Sequence, residues 1–209
     1  MKIYIRTTGE RKLDESIERE LGNDYQLLID KEHRPVDSFI EQLKIISNED
    51  SLLLEDDIIL CKDFLKEVKK AIRKWKGFVI NFYTYPFHYM TTVLWGQPFC
   101  FNQCTYYPKG ISEKIANKMI ELRKPYSQYD VLESNAMVAL EILHVVYRPC
   151  LVQHIDNNTL IQKNHAPRRT IWFKDYLDEL EIAYEDAWTK ENKEKLKLLT
   201  LKKFKDVQK

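Results

Sequence analysis

Three consecutive acids, Glu55-Asp56-Asp57, follow an all-leucine run at 52–54 that is short enough to be a buried strand. Carboxylates so close together repel one another and favour water or a cation. Two readings of this stretch are open. In one, the acids form a solvated turn that caps the next helix, a place Asp favours. In the other, they stand at the carboxyl end of a strand in an open α/β sheet, where ligands bind. A hard divalent ion would then answer their charge and hold substrate phosphates as well. Other residues could join that chemistry. Thr7 and Thr8 offer hydroxyls, and Arg11 can pair with phosphate. Asp130 heads a later helix, where a carboxylate is either a general base or an N-cap. His154 ends an apolar run and, taken alone, reads as a core histidine.

The positioning elements follow from periodicity. Strand patterns at 3–5, 25–29 and 52–54 alternate with helical ones. The first helix spans 13–21 and stops at Gly22-Asn23. The second opens on Pro35 and faces Phe39, Leu43 and Ile46 inward, and the third carries Phe64, Leu65, Val68 and Ile72. Such alternation predicts a parallel sheet with right-handed crossovers. The loops at 7–11, 30–34 and 55–57 then share one sheet edge, which adds Asp30 to the candidate nucleotide contacts. Neither G-x-G-x-x-G nor G-x-x-x-x-G-K-[ST] is present, so a Rossmann dinucleotide site and a P-loop are not expected. Further on come a strand at 78–83, an aromatic-rich stretch at 84–104, helices at 112–123 and 132–143, a short strand and turn at 144–149, and a strand at 151–155. The aromatic stretch reads either as a functional loop or short hairpin or as an aromatic subcore.

The 209 residues suit one domain, alone or with an appendage. A net charge of +1 gives no bulk electrostatic case for nucleic acid. Cys61, Cys100, Cys104 and Cys150 lack zinc-type spacing, and reduced thiols are expected. The chain opens on a strand pattern rather than a signal peptide. No apolar run approaches the about 20 residues of a membrane span, so a cytoplasmic protein is expected. The C-terminal part has a basic segment with Lys163, Arg168, Arg169 and Lys174 around Trp172 and Phe173. An acidic helix is expected at 175–186. A lysine-rich end follows at 189–209, with eight Lys against three acids and Leu196, Leu199 and Leu201 as its apolar stripe. That end is either a solvated helix or a contact for a membrane surface or an acidic partner.

Four features in this order resemble small metal-dependent glycosyltransferases of the GT-A fold, of bacterial or phage type. Residues 52–58 resemble the family's Asp-x-Asp motif in its Glu-Asp-Asp form. The stretch from Trp95-Gly96-Gln97-Pro98 to Cys104 stands where a glycine-bearing donor loop is found. Tyr129-Asp130 heads a helix as the family's catalytic acid does. Pro149-Cys150-Leu151-Val152-Gln153-His154-Ile155 is similar to a terminal Pro-x-x-x-Gln-His ending. The chain departs from the pattern at Tyr129, where Glu is usual, at Asp156, where Gly is usual, and at Thr159, where Ser is usual.

The resemblance covers roughly 1–160. It implies an α/β fold with a GT-A-like, Rossmann-like, mostly parallel sheet flanked by helices. A helical C-terminal extension over 161–209 would follow. It implies a nucleotide-sugar donor, most often a uridine one, with Mn²⁺ or Mg²⁺. Asp57 and His154 would ligate the metal, and Glu55 or Asp56 would orient the ribose or the metal's waters. Thr7, Thr8, Arg11, Asp30 and Gly96 would contact the donor. Lys163, Arg168 and Arg169 would close over the diphosphate. Asp130 would take the acceptor's proton in an inverting transfer, with Glu133 in reserve. In a retaining transfer Asp130 would position donor or acceptor. The acceptor is left open among a glycan, a lipid-linked glycan, a protein and a modified nucleobase. The alternative reading is a catalytically inactive module of this kind that binds a sugar nucleotide or a partner. A receiver-like phosphoryl enzyme would need acids after the first strand as well, and they follow only the third.

Overall fold

Alternating side chains explain the first strand. In β1 (Lys2–Thr7), Ile3 and Ile5 enter one hydrophobic cluster and Tyr4 enters another. Successive side chains leave a strand on opposite faces, so both faces of this one are covered. β3 (Ser51–Glu55) repeats the arrangement. Leu52 and Leu54 join the cluster of Ile3 and Ile5, and Leu53 joins that of Tyr4. β1 pairs in parallel with β3 on one side and with β2 (Gln26–Ile29) on the other. The computed structural model describes residues 1–84, 102–124, 128–155 and 169–207.

β5 (Val79–Asn81), β6 (Cys104–Tyr107) and β7 (His144–Val146) complete a sheet of order β2-β1-β3-β6-β5-β7. It is mostly parallel. Only β6 runs against its neighbours β3 and β5. From the sequence no strand is expected between the aromatic-rich stretch at 84–104 and the helix at 112–123, and β6 fills that gap. All four of its residues are buried, so it carries no polar alternation to mark it as a strand.

Helices cover both faces. α1 (Glu15–Leu21) and α3 (Phe64–Lys74) pack on the side of Ile5 and Leu54 through Ile17, Leu21, Phe64 and Val68. α2 (Pro35–Ile45), α4 (Ile111–Leu122) and α5 (Tyr129–Ala139) pack on the side of Tyr4 and Leu53 through Phe39, Leu43, Ile115, Met119 and Leu132. α1 starts where the Asp14 side chain accepts from Ser16 N–H at 2.8 Å, and α2 starts on Pro35. Both are ordinary helix openings.

A separate two-stranded ribbon joins β4 (Ile58–Leu60) to β8 (Val152–His154), antiparallel, with Ile58 opposite His154. β4 was not anticipated. Its residues fall between the acidic run and α3, where the apolar pattern reads as continuous with the helix.

The C-terminal part packs into the same core as β1 and β3. Trp172, Phe173, Tyr176, Leu177, Ala187, Leu196 and Leu199 all belong to that cluster, and Trp172 stacks on Trp188 at 4.3 Å. The aromatics interleaved with the basic residues are therefore buried and do not offer a stacking surface. The helix expected over 175–186 is interrupted. α6 (Lys174–Glu179) ends before Glu181, whose φ of 52° is left-handed, and a 3₁₀ turn follows at Tyr184–Asp186. A left-handed residue stops an α-helix. α7 (Lys190–Val207) buries Leu196 and Leu199 but leaves Leu201 58% exposed, so the expected stripe is narrower by one residue. Among the described residues no helix is long and apolar enough to cross a membrane.

Candidate functional site

The parallel trio β2-β1-β3 ends its strands together, and Asp30 N–H donates to Thr7 O at 2.8 Å across the edge. This brings the loops after β1, β2 and β3 side by side, as the alternation of elements predicted. The acids of the third loop meet the residues of the first. Thr7 Oγ1 donates to Asp56 Oδ2 at 2.5 Å, and Gly9 N–H donates back to Thr7 Oγ1 at 2.9 Å. Gly9 has φ +82°, a conformation that side chains strain to adopt, and it keeps this turn tight. Arg11 Nη1 lies 2.8 Å from Asp57 Oδ2 and 3.4 Å from Asp56 Oδ1. The cation that three adjacent carboxylates require is, in the protein alone, partly this guanidinium.

His154 reaches the same carboxylate from the far end of the sequence. The β4–β8 ribbon is extended by Ile155 N–H donating to Asp57 O at 2.7 Å. It sets His154 Nε2 3.4 Å from Asp57 Oδ2. The imidazole is almost wholly buried and lies 6.5 Å, ring to ring, from the buried Tyr83. Gln153 fixes the ribbon from behind. Its side chain accepts from Thr170 N–H at 2.9 Å and donates to Thr170 O at 2.8 Å. That returns the chain to β8 after the 156–168 stretch.

Glu55 is answered separately. Arg6 Nη1 donates to Glu55 Oε1 at 3.2 Å, and Tyr129 Oη donates to the same oxygen. Arg6 also donates to Pro35 O at 3.1 Å. Its guanidinium carbon lies 4.1 Å from the centre of the Tyr129 ring and 5.2 Å from that of Phe39. Burial, reinforced by the negative charge of Asp57, pushes the Glu55 carboxyl above its ordinary range despite Arg6. Asp57 moves the other way. Burial would raise it, but the hydrogen bond and charge of His154, and then Arg11, outweigh burial and hold it below the ordinary range. Two neighbouring carboxylates are thereby tuned apart, a pattern that concentrates at functional sites.

Arg6 and Tyr129 were not among the expected site residues. Arg6 follows the apolar Ile3-Tyr4-Ile5 run in β1, and nothing local marked it for the site. Tyr129 entered only as the neighbour of Asp130 at the head of a helix, where the family usually has Glu. Here its hydroxyl fastens the first turn of α5 to the acidic run. Asp130, next in the chain, is half-buried and accepts from Val131 N–H at 2.8 Å. It lies inside the helix, whose N-cap is Gln128.

Glu133 is placed differently. It is fully buried and accepts from Tyr107 Oη at 2.6 Å and from Asn102 Nδ2. Burial pushes it up to about 7. Both oxygens face core donors, which suits positioning of β6 and Asn102 better than contact with a substrate. Thr8 Oγ1 is buried and has no partner among the described residues. Asp30 is half-buried, and its Oδ1 accepts from Arg34 N–H at 3.3 Å. Arg169 is half-buried in the segment that returns to β8. Gly96, Lys163 and Arg168 lie outside the described residues.

Asp57 Oδ1 is buried and has no hydrogen-bond partner among the described residues. A buried carboxylate oxygen in that state calls for a donor or an ion. Asp57 and His154 supply one carboxylate and one imidazole, a set compatible with Mn²⁺. Among the described residues no group of three or more His, Cys, Asp or Glu side chains could hold a metal ion. The remaining ligands would be phosphate oxygens and water, the usual shell of an ion that arrives with a nucleotide. The donors fit an ion on those terms.

No protein-family model matches the chain, and no curated protein matches it in sequence. Among solved structures the chain is similar to the A197 protein from STIV. The identity is 11%, the match covers 79% of this chain and 99% of that one, and the TM-score is 0.47. It is also similar to a glycosyltransferase involved in the glycosylation of the major capsid of PBCV-1. There the identity is 16%, the match covers 76% of this chain and 96% of that one, and the TM-score is 0.49.

Proposed function

We propose that the chain is a metal-dependent glycosyltransferase. It would move a sugar from a nucleotide-diphosphate donor, with UDP-sugars the first candidates, to a glycan, lipid-linked glycan, protein or modified-nucleobase acceptor. One observation supports this above the others. The two separated sequence features that resemble the family, the Glu-Asp-Asp run and the terminal Gln-His, meet at a single carboxylate. Asp57 Oδ2 stands 3.4 Å from His154 Nε2 at the carboxyl end of β3.

In this reading Asp57 and His154 hold Mn²⁺ or Mg²⁺. A bound divalent ion would offset the negative charge that develops on the departing diphosphate. Thr7 orients Asp56, and Thr8 and Asp30 line the nucleotide side of the edge. Arg6 and Tyr129 fix Glu55, so the run presents its acids in one arrangement. Asp130 receives the acceptor's proton in an inverting transfer or aligns the acceptor in a retaining one. Glu133 holds β6 beneath it.

The test is release of nucleoside diphosphate from a panel of sugar nucleotides with Mn²⁺, since such transferases leak sugar slowly to water. One donor should be hydrolysed, and Asp57→Ala should lower the rate by on the order of 100-fold, the scale of losing one charge-stabilising group. Binding of a sugar nucleotide with no release from any donor would favour the inactive module. No binding at all would contradict both.

A further inference from the structure

The acidic run is closed by two arginines that differ in how they are held. Arg6 belongs to β1, lies against the rings of Phe39 and Tyr129, which touch each other at 4.9 Å, centre to centre, and donates to Glu55 and Pro35 O. Arg11 comes from the irregular loop between β1 and α1, and its side chain is 21% exposed. Its Nη1 spans Asp56 and Asp57, the contact to Asp57 being the shorter at 2.8 Å against 3.4 Å. On Asp57 it takes Oδ2, the oxygen that also faces His154. The other oxygen, Oδ1, is the buried one without a partner. Any divalent ion on this carboxylate would share it with a guanidinium. Like charges so close in a partly desolvated place repel strongly.

Resting on the glycosyltransferase reading, we infer that Arg11 is a displaceable internal counter-ion. It partly offsets the charge of Asp56 and Asp57 in the ligand-free protein and opposes metal binding there. It gives up Asp57 when a diphosphate offers it a new anionic partner, because guanidinium pairs with phosphate as readily as with carboxylate. Metal binding thus depends on the nucleotide. By reciprocity of coupled equilibria, nucleotide binding depends on the metal to the same degree. With Arg6 on Glu55 and Arg11 on Asp57, the ligand-free site keeps less unpaired negative charge and draws free divalent ions less strongly.

The experiment is a Mn²⁺ titration of the full chain by calorimetry and by the Mn²⁺ paramagnetic resonance signal, with and without UDP. Wild type is compared with Arg11→Gln and Arg11→Lys. Arg11→Gln should bind Mn²⁺ alone about tenfold more tightly than wild type, a modest share of the repulsion expected between such charges. The further gain from UDP should shrink in that variant. Its thermal stability should fall without Mn²⁺ and recover with it. Arg11→Lys, which keeps the charge, should titrate like wild type.

Equal or weaker Mn²⁺ binding by Arg11→Gln would overturn the counter-ion role and leave the metal-dependent reading standing. Tightening by Arg11→Lys as large as that by Arg11→Gln would overturn it too, since charge would not be the cause. No Mn²⁺ binding by any of the three, even with UDP, would overturn the counter-ion role and the metal-dependent reading together.

Discussion

Replacing Glu133 with Gln should change how stability depends on pH, in a direction fixed by where Glu133 sits. Its carboxyl is fully buried, and burial lifts it from 4.5 to about 7. A carboxyl raised in the folded state keeps its proton there while the unfolded chain has already lost it. Stability from this group is therefore full below the unfolded value and is lost as pH rises through about 7. Integrating the linkage between about pH 5 and about pH 8 gives a loss of about 2–3 kcal/mol. His144 runs the opposite way. Burial lowers it to about 4, so its contribution is lost as pH falls toward that value. The two trends oppose each other in the acid range, and the wild-type curve alone does not separate them. The difference between wild type and Glu133→Gln does, because His144 is common to both. The assay is urea unfolding of both proteins at half-unit pH steps. The difference in unfolding free energy should shift by about 2–3 kcal/mol toward the variant from about pH 5 to about pH 8. Parallel curves would mean that Tyr107 and Asn102 hold Glu133 ionised in the folded protein.

Other perturbations test the frame around the acids. Tyr129→Phe removes the hydroxyl that donates to Glu55 but keeps the ring beside Arg6. Urea unfolding should show a loss of about 1–3 kcal/mol, the cost of a buried acceptor losing a donor, and a loss near zero would remove the fastening role. Gly9→Ala puts a side chain at φ +82° in the turn that Thr7 closes. It should cost about 1–2 kcal/mol and weaken nucleotide binding more than it changes the helical circular dichroism. A thermal melt and a binding titration read the two effects.

The fold was legible where both faces of a strand or one face of a helix carried a period. The strands β1 and β3 and the opening of α2 on Pro35 were all marked in the sequence, and so was the shared edge of their loops. Two strands were not. β6 is buried at every position, and β4 sits between the acidic run and α3 with nothing to set it apart from the helix. Glu55, Asp56, Asp57 and His154 could be read as one site only by joining a weak acidic motif to a distant Gln-His. Of the β4–β8 ribbon that physically joins them, only β8 had a local signal. Arg11 was read as a phosphate partner, and its grip on Asp56 and Asp57 became visible only once the loop was placed beside β3. Arg6 and Tyr129 depended on a stack between β1, α2 and α5, which no local spacing encodes.

The most direct measurement is the thermal stability of the chain against nucleoside diphosphates and sugar nucleotides, with and without Mn²⁺, for wild type and Asp57→Ala. A ligand at about a hundred times its Kd stabilises by about 2.7 kcal/mol, which a melt resolves easily. The expected result is a rise in Tm that needs one nucleotide and Mn²⁺ together and that disappears in Asp57→Ala. No rise with any nucleotide, or an equal rise in Asp57→Ala, would contradict a metal–diphosphate site at Asp57.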